Sequence, residues 1–534
     1  MLRTNCHCPL RNPIDTHTSP PCQSRIVPRL PRGYNTPMKI RTLLCRRNGA
    51  VFLLALCVLL AGCTPLPFIA PGTAAPSAAA TPAPSHGTAQ APAVTIAATP
   101  ALGTAPTGTG KREPLPSRFD LRETGGVTPA RNQQNEETCW AYAAIAAAES
   151  SAAYLQGIYT DLSENHMKYA LSADGGNAWG FDRGFDGGGN RDMAAAYFAR
   201  HSGAVLEARD PPAAAQTTRP VKATEAIAPS YTVGDILFLP VTGGAQHLAA
   251  DAGDVEIIQR AILRFGGVFS DYRHDETRFD ARYSSYWLPQ ATWDSAQIAH
   301  AVILIGWDND FPADHFLSRA PGNGAWIAKN SFGGDYGENG FFYISYYDAY
   351  IGSGATVFTN VSKTPAPLRA YQYDPFGNNS TYSAADMGAA WAANVFDRGA
   401  DTAPETLRQV GLYTCQPNVT VTLSVGQGDQ GSSPEGFAFT TVQTVTLEYA
   451  GYHTITLNDP IELDRRWFCV QAQYSAAQGN AMLPLEGREA DCPQADAQAG
   501  QSWASWDGAF WTDLNTHYQN TNLCIKAFCG PAAP

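Results

Sequence analysis

Between Cys63 and Cys415 the chain contains one cysteine, Cys139. A lone thiol is either a small buried hydrophobe or a nucleophile, and its position bears on the choice. Cys139 opens the run Cys139–Leu155 (CWAYAAIAAAESSAAYL), which is Ala-rich and free of Gly and Pro, so a helix is predicted there. A helix N-terminus stabilises a thiolate, which is the reactive form. Nucleophilic catalysis by such a thiol needs three companions: an imidazole to take the proton, a group to orient it, and donors to hold an oxyanion.

Three separated segments bear on those companions. The first, Leu115–Ala144, reads LPSRFDLRETGGVTPARNQQNEETCWAYAA; the second, Ile298–Asp308, reads IAHAVILIGWD; the third, Gly324–Tyr347, reads GAWIAKNSFGGDYGENGFFYISYY. In that order they resemble papain-like cysteine peptidases, which carry F-D-W-R, V-T-P-x-x-N-Q and C-W-A-F, then H-A-V before an apolar strand, then W-x-x-K-N-S-W-G. The resemblance implies Cys139 as nucleophile and His300 as general base. It implies Asn330 as the group that orients the imidazole. Gln133, six residues before Cys139, would hold the oxyanion together with the Cys139 N–H. Phe332 and Tyr336 stand where the family has tryptophans that cover the His–Asn bond. Leu162-Ser163-Glu164 and Asp186–Asn190 resemble the family's L-S-E-Q and C-N-G-G segments, so Gly187 and Gly188 would let a substrate backbone approach. Ala301 would border the pocket for the residue preceding the scissile one.

The pattern also departs from the family. Glu136 and the Phe185–Asp186 neighbourhood occupy the places of a common disulfide, and an acid at Glu136 is expected to disfavour the thiolate. No helical inhibitory propeptide precedes residue 114. The other histidines of this region, His166, His201, His247, His274 and His315, are expected to be surface or capping residues. Asp308-Asn309-Asp310 is an acidic turn without the later ligands of a calcium loop, so no metal and no cofactor is expected. Two other classes share part of the pattern: a peptidoglycan amidase, and a surface adhesin on an inactive peptidase scaffold.

With 534 residues, two domains plus appendages are expected. A formal net charge of −12 excludes nucleic acid as the main partner, because phosphate binding needs a basic face. Residues 38–63 pair a basic stretch with the apolar run Ala50–Ala61 and end Leu60-Ala61-Gly62-Cys63. This is the layout of a secretory signal, and its end resembles a bacterial lipobox. Lipidation at Cys63, export and a membrane anchor facing outside the cytoplasm are therefore expected, with residues 1–37 read as an over-extended start. Residues 64–113, rich in Ala, Pro, Thr and Gly, lack the apolar side chains to offset ordering entropy and are expected to be a disordered tether.

Beyond the tether, helix candidates at Cys139–Leu155, Asp192–His201 and Asp254–Arg264, the last two opening on an Asp suited to capping, precede strand-like runs at Ala301–Gly306, Gly324–Ala328 and Phe341–Tyr347. The expected fold is α+β over 114–362: a papain-like two-subdomain fold with a helical part and a β-barrel-like part, acting on a polypeptide substrate. Lys363–Leu368 (KTPAPL) is a boundary. Residues 370–530 hold alternating runs such as Val419–Val425, and an all-β sandwich follows from that period. Tyr371–Asp374, Ala393–Phe396, Val410–Tyr413, Gly451–Leu457 and Asn522–Phe528 resemble the lectin-like domain that follows some bacterial papain-like peptidases, which makes carbohydrate a candidate ligand. Trp503, Trp506, Phe510 and Trp511 are candidates either for stacking on sugar rings or for the core. Cys415, Cys469, Cys492, Cys524 and Cys529 allow at most two disulfides, in a pairing that spacing does not reveal.

Overall fold

A computed structural model describes residues 113–212, 220–242, 251–290, 298–364, 368–383, 387–400, 403–431 and 433–532. The signal, the lipobox Cys63, almost all of the tether and His247 lie outside the described residues.

The alanine run forms a helix over Cys139–Gln156 that ends on Gly157, whose φ of 65° gives a left-handed cap. Its small side chains let it sink into the protein, and residues 143–153 are all buried. It packs on the strands Ile298–Asp308 and Ser353–Lys363. Two further helices begin earlier than the capping aspartates predicted. Asn190, not Asp192, caps Arg191–Ala199, accepting from the N–H of Asp192 and Met193 at 3.0 Å. Asp251, not Asp254, caps Ala252–Phe265; Asp254 is instead buried and accepts from Thr242 N–H at 3.1 Å. Each region offers two cap-competent side chains, and in both the first one caps.

The sheet beneath the Cys139 helix has 13 strands. Val268–His274, Ile298–Asp308, Ala325–Lys329 and Phe341–Ser345 follow one another antiparallel, with Arg118–Asp120 paired to the outer end of Ile298–Asp308. On the other side of Val268–His274 lie Ser353–Lys363 and then Tyr231–Phe238. Neither Val268–His274 nor Tyr231–Phe238 stood out as a strand in the sequence.

The C-terminal part is all β, as expected. Strands from Ala389 to Asp513 form a six-stranded sheet facing Arg369–Tyr371, Ile525–Pro531, Glu405–Thr414 and Ala450–Leu463. The inner faces enclose Val419, Val421, Leu423 and Val425 with Phe468, Val470 and Leu412. These last four strands belong to the same 13-stranded sheet, because Ala450–His453 pairs with Phe238–Asp235. The junction is sealed by Phe181 edge-on to Phe376 (5.1 Å) and His201 stacked on Phe528 (3.8 Å). The five C-terminal cysteines are all free thiols. Cys469 and Cys529 sit in hydrophobic clusters separate from each other and from the one that holds Cys492 and Cys524.

The junction predicts that a chain ended after Thr364 exposes the Tyr231–Phe238 edge and the apolar surface around Phe181. Such an edge templates aggregation. Its soluble yield should fall well below that of the full chain, with a lower melting temperature; equal solubility and melting would show the two parts to be independent.

Candidate active site

The burial of the Cys139 helix brings polar groups into the core, and their partners connect the three motif segments. Glu149 accepts hydrogen bonds from Thr128 Oγ1 (2.6 Å) and Leu162 N–H (2.8 Å). The Lys329 ammonium donates to the same Thr128 Oγ1 at 2.9 Å. Burial pushes Lys329 below its ordinary value while Glu149 and Glu164 pull it up. Thr128 of the V-T-P segment is thereby tied to the residue before Asn330. Ser150 accepts from Gly267 N–H (2.9 Å) and donates to Gly126 O (2.6 Å). Each bond satisfies a group that would otherwise cost about 1–3 kcal/mol.

Gln133 is buried against the Asn330 segment. Its N–H donates to Ser331 O at 2.8 Å, and its Oε1 accepts from Ser331 Oγ at 2.5 Å. Nε2 donates one hydrogen to Glu136 O at 2.7 Å. Because an amide nitrogen carries two hydrogens, one remains for a ligand oxygen. His300 is buried on its strand, with Nε2 bonded to Asn330 Oδ1 at 2.8 Å. Asn330 Oδ1 also accepts from Ser331 N–H, so Nε2 carries the ring proton and Nδ1 is the basic nitrogen. The Phe332 ring lies 4.7 Å from the His300 ring, and Tyr336 meets Phe332 edge-on at 5.3 Å.

Cys139 is partly exposed at its helix start. Backbone N–H groups near its sulfur, that of Ala301 first, favour the thiolate. Burial pushes the thiol up to about 11, with those N–H groups opposing. Burial likewise lowers His300 to about 4, the Asn330 bond opposing and His274 adding to the fall. Burial thus favours the neutral form of each group, against the pull of the helix N-terminus on the thiol.

The acid that acts on the thiol is not Glu136. That carboxylate is neutralised by Lys168 at 2.6 Å. The carboxylate that raises the thiol's pKa is Asp271, on the strand beside His300. Where relatives carry the disulfide, this chain places the Lys168–Glu136 pair, a Tyr169–Phe185 stack at 4.9 Å and a Glu137 N–H to Asp186 O bond at 2.9 Å.

Gly187 donates its N–H to Gly184 O and its carbonyl accepts from Arg183 Nη2 at 2.6 Å. The carbonyl of the exposed Gly188 accepts from Arg183 Nε at 2.8 Å. Beside them, a Cβ on Gly189 would stand 2.4 Å from the Trp140 ring, so the third glycine serves close packing. Ser163 caps the helix Glu164–Ala170, a structural role for L-S-E.

Not all of the other histidines are surface or capping residues. His166 is buried, with Nδ1 bonded to Tyr197 OH (2.8 Å) and Nε2 to Thr224 O (3.2 Å). His274 belongs to the site: Tyr272 OH bonds its Nδ1 at 2.9 Å, and its ring lies 5.7 Å from that of His300. Its signal was two-residue alternation in an unrecognised strand, which puts residues 272 and 274 on one face. In the C-terminal part, Trp503 and Trp511 pack around Cys469, Trp506 lies 4.9 Å from Tyr382, and Phe510 is 80 % exposed.

Comparison with known proteins agrees with this geometry. Residues 115–358 match the model of the papain family cysteine protease, and residues 370–529 match that of the lectin like domain. Cathepsin J of Rattus norvegicus is 27 % identical over 233 residues, covering 43 % of this chain and 60 % of its own length. Procathepsin L of Mus musculus is 26 % identical over 231 residues, with the same shares. The chain thus spans about 60 % of the length of these curated relatives. The cysteine protease and lectin-like domains of Cwp84, a surface layer associated protein of Clostridium difficile, superpose with a TM-score of 0.68 at 24 % identity, over 80 % of this chain and 90 % of that one. Residues 115–358 therefore have a papain-like fold, followed by an all-β lectin-like domain.

The buried thiol predicts the pH dependence of alkylation. With its pKa raised to about 11, the thiolate fraction grows as pH rises and stays small at neutrality. Alkylation of Cys139 by iodoacetamide, followed by peptide mapping, should accelerate about tenfold per pH unit between 7 and 10. A rate independent of pH between 5 and 8 would instead show a preformed thiolate–imidazolium pair.

Proposed function

We propose that the chain is an exported cysteine endopeptidase, anchored to the membrane through lipid on Cys63, that hydrolyses peptide bonds with Cys139, His300, Asn330 and Gln133. The observation that carries this reading is the His300 Nε2–Asn330 Oδ1 bond of 2.8 Å. It leaves Nδ1 as the base, on the strand Ile298–Asp308 against which the Cys139 helix packs.

In the proposed cycle, Nδ1 takes the thiol proton as the sulfur attacks the scissile carbonyl carbon. The oxyanion is held by the spare Gln133 Nε2 hydrogen and the Cys139 N–H. The intermediate collapses to a thioester as the imidazolium gives its proton to the departing amine. A water, deprotonated by Nδ1, then releases the acid and restores the thiol. Asn330 holds the ring in the tautomer this requires, and Phe332 keeps water from competing for that bond. Gly188, exposed beside Trp140, is the better placed of the two glycines to meet a substrate backbone, since Gly187 spends its N–H on Gly184.

The test is hydrolysis of fluorogenic peptides by the full chain. Activity should vanish in Cys139→Ala and under a thiol-directed epoxide. Gln133→Ala should lower kcat by about 100- to 1000-fold. Release of muropeptides without peptide cleavage would identify an amidase. Glycan binding that survives Cys139→Ala, with no hydrolysis by the wild type, would favour an adhesin. In cells, labelled fatty acid should enter the wild type and not Cys63→Ala; equal labelling would refute the anchor.

A further inference from the structure

Arg183 lies between the helices Glu164–Ala170 and Arg191–Ala199, and its side chain reaches the glycine run that follows it. Nε donates to Gly188 O at 2.8 Å and Nη2 to Gly187 O at 2.6 Å, so one edge of the guanidinium grips two consecutive carbonyls. Nη2 also donates to Phe185 O at 3.3 Å, and Nη1 to Lys168 O at 3.1 Å, on the helix Glu164–Ala170. Among the described residues every hydrogen bond of this side chain ends on a main-chain carbonyl. The planar fork makes this possible, because its donors diverge in one plane at fixed angles.

The guanidinium also lies over the Trp140 ring, 4.7 Å from its centroid. Trp140 follows Cys139 directly on its helix, and a Cβ on Gly189 would stand 2.4 Å from the same ring. The glycine run is thus held against the helix start that carries the thiol. Burial lowers Arg183 to about 10, with Asp186, Asp174 and Glu136 opposing, so it stays charged at neutral pH.

Holding the carbonyls decides where the N–H groups go. Across a trans peptide bond the C=O of one residue and the N–H of the next point in opposite directions. With the Gly187 and Gly188 carbonyls turned onto Arg183, the N–H groups of Gly188 and Gly189 point away from it. Both residues are exposed, and neither N–H has a partner among the described residues. Three glycines in a row have no side chains to restrict them and lose more conformational freedom on ordering than other residues. Aiming two donors from such a run depends on a group that grips it from behind.

We propose that Arg183 is a positioning residue for substrate binding: it grips the glycine run from within and so fixes the outward Gly188 and Gly189 N–H groups as donors to a main-chain carbonyl of the peptide. The inference rests on the peptidase reading above. Arg183 touches neither the substrate nor the reacting atoms. It acts through the loop on binding rather than on bond breaking, so its loss raises KM and leaves kcat nearly unchanged.

The experiment uses the full chain, one fluorogenic tetrapeptide and three analogues of it. In each analogue a thiocarbonyl, a poorer acceptor, replaces one of the three carbonyls on the amine side of the scissile one. With the wild type, one analogue should show a KM raised about 3- to 10-fold, the worth of one hydrogen bond. Arg183→Ala should raise the KM of the parent peptide about 10-fold and abolish its difference from that analogue, as coupled partners do. Alkylation of Cys139 by iodoacetamide should keep its wild-type rate, since so small a reagent does not use the loop. Arg183→Lys keeps the charge without the fork and should stay impaired.

A wild-type KM in Arg183→Ala or Arg183→Lys overturns the inference while leaving the peptidase reading intact. Equal slowing of alkylation and peptide hydrolysis would show that Arg183 only holds the fold, and overturns it too. Cleavage of no peptide by the wild type overturns the peptidase reading itself, and this inference with it. If Arg183→Ala does not fold, the same comparisons with Arg183→Lys decide.

Discussion

The Cys139 helix is buried almost all round, and the rest of the site depends on that constraint. A helix so placed must be made of small residues, and each polar group it carries inward must find a partner. Glu149 and Ser150 find theirs in segments far apart in sequence: Thr128, Leu162, Gly126 and Gly267. Because Thr128 also receives Lys329, the oxyanion-side loop and the Asn330 loop are fixed to one helix. Satisfying buried hydrogen bonds and assembling the candidate active site are the same event.

The same burial sets the electrostatics. Desolvation favours the neutral form of both Cys139 and His300. Each charge close by is dealt with separately. Glu136 is balanced by Lys168, which together with the Tyr169–Phe185 stack takes over the tethering done elsewhere by a disulfide. Asp271, which raises the thiol's pKa, lies opposite Ala301 on the neighbouring strand with Arg191 and Arg273 acting on it.

The continuous sheet ties the two parts of the molecule more closely than a proline-marked boundary suggests. Tyr231–Phe238 bridges the strand run beneath the Cys139 helix and the lectin-like sandwich through Ala450–His453. Asp235 and His453 face each other at this seam, both buried and 3.6 Å apart. An element of the peptidase domain thus supplies an edge for the lectin-like domain, and neither edge is left to solvent.

Much of this was legible in the chain itself. A lone cysteine at the start of an alanine-rich run, H-A-V before an apolar strand and K-N-S before paired glycines mark Cys139, His300 and Asn330, because each motif is local and its spacing carries its chemistry. The all-β C-terminal part was equally plain, since two-residue alternation is written in consecutive residues. Helix starts were harder: each region offers two cap-competent side chains, and Asn190 and Asp251 cap where Asp192 and Asp254 were expected. The sequence could not assign Glu136 its counter-ion, place His274 beside His300, or set Asp271 opposite Ala301. These are facts of register and packing between distant segments, and a one-residue slip of a strand would turn each side chain to the other face. Residue types and short spacings determined which chemistry was available; only the pairing of the strands decided which charges that chemistry would meet.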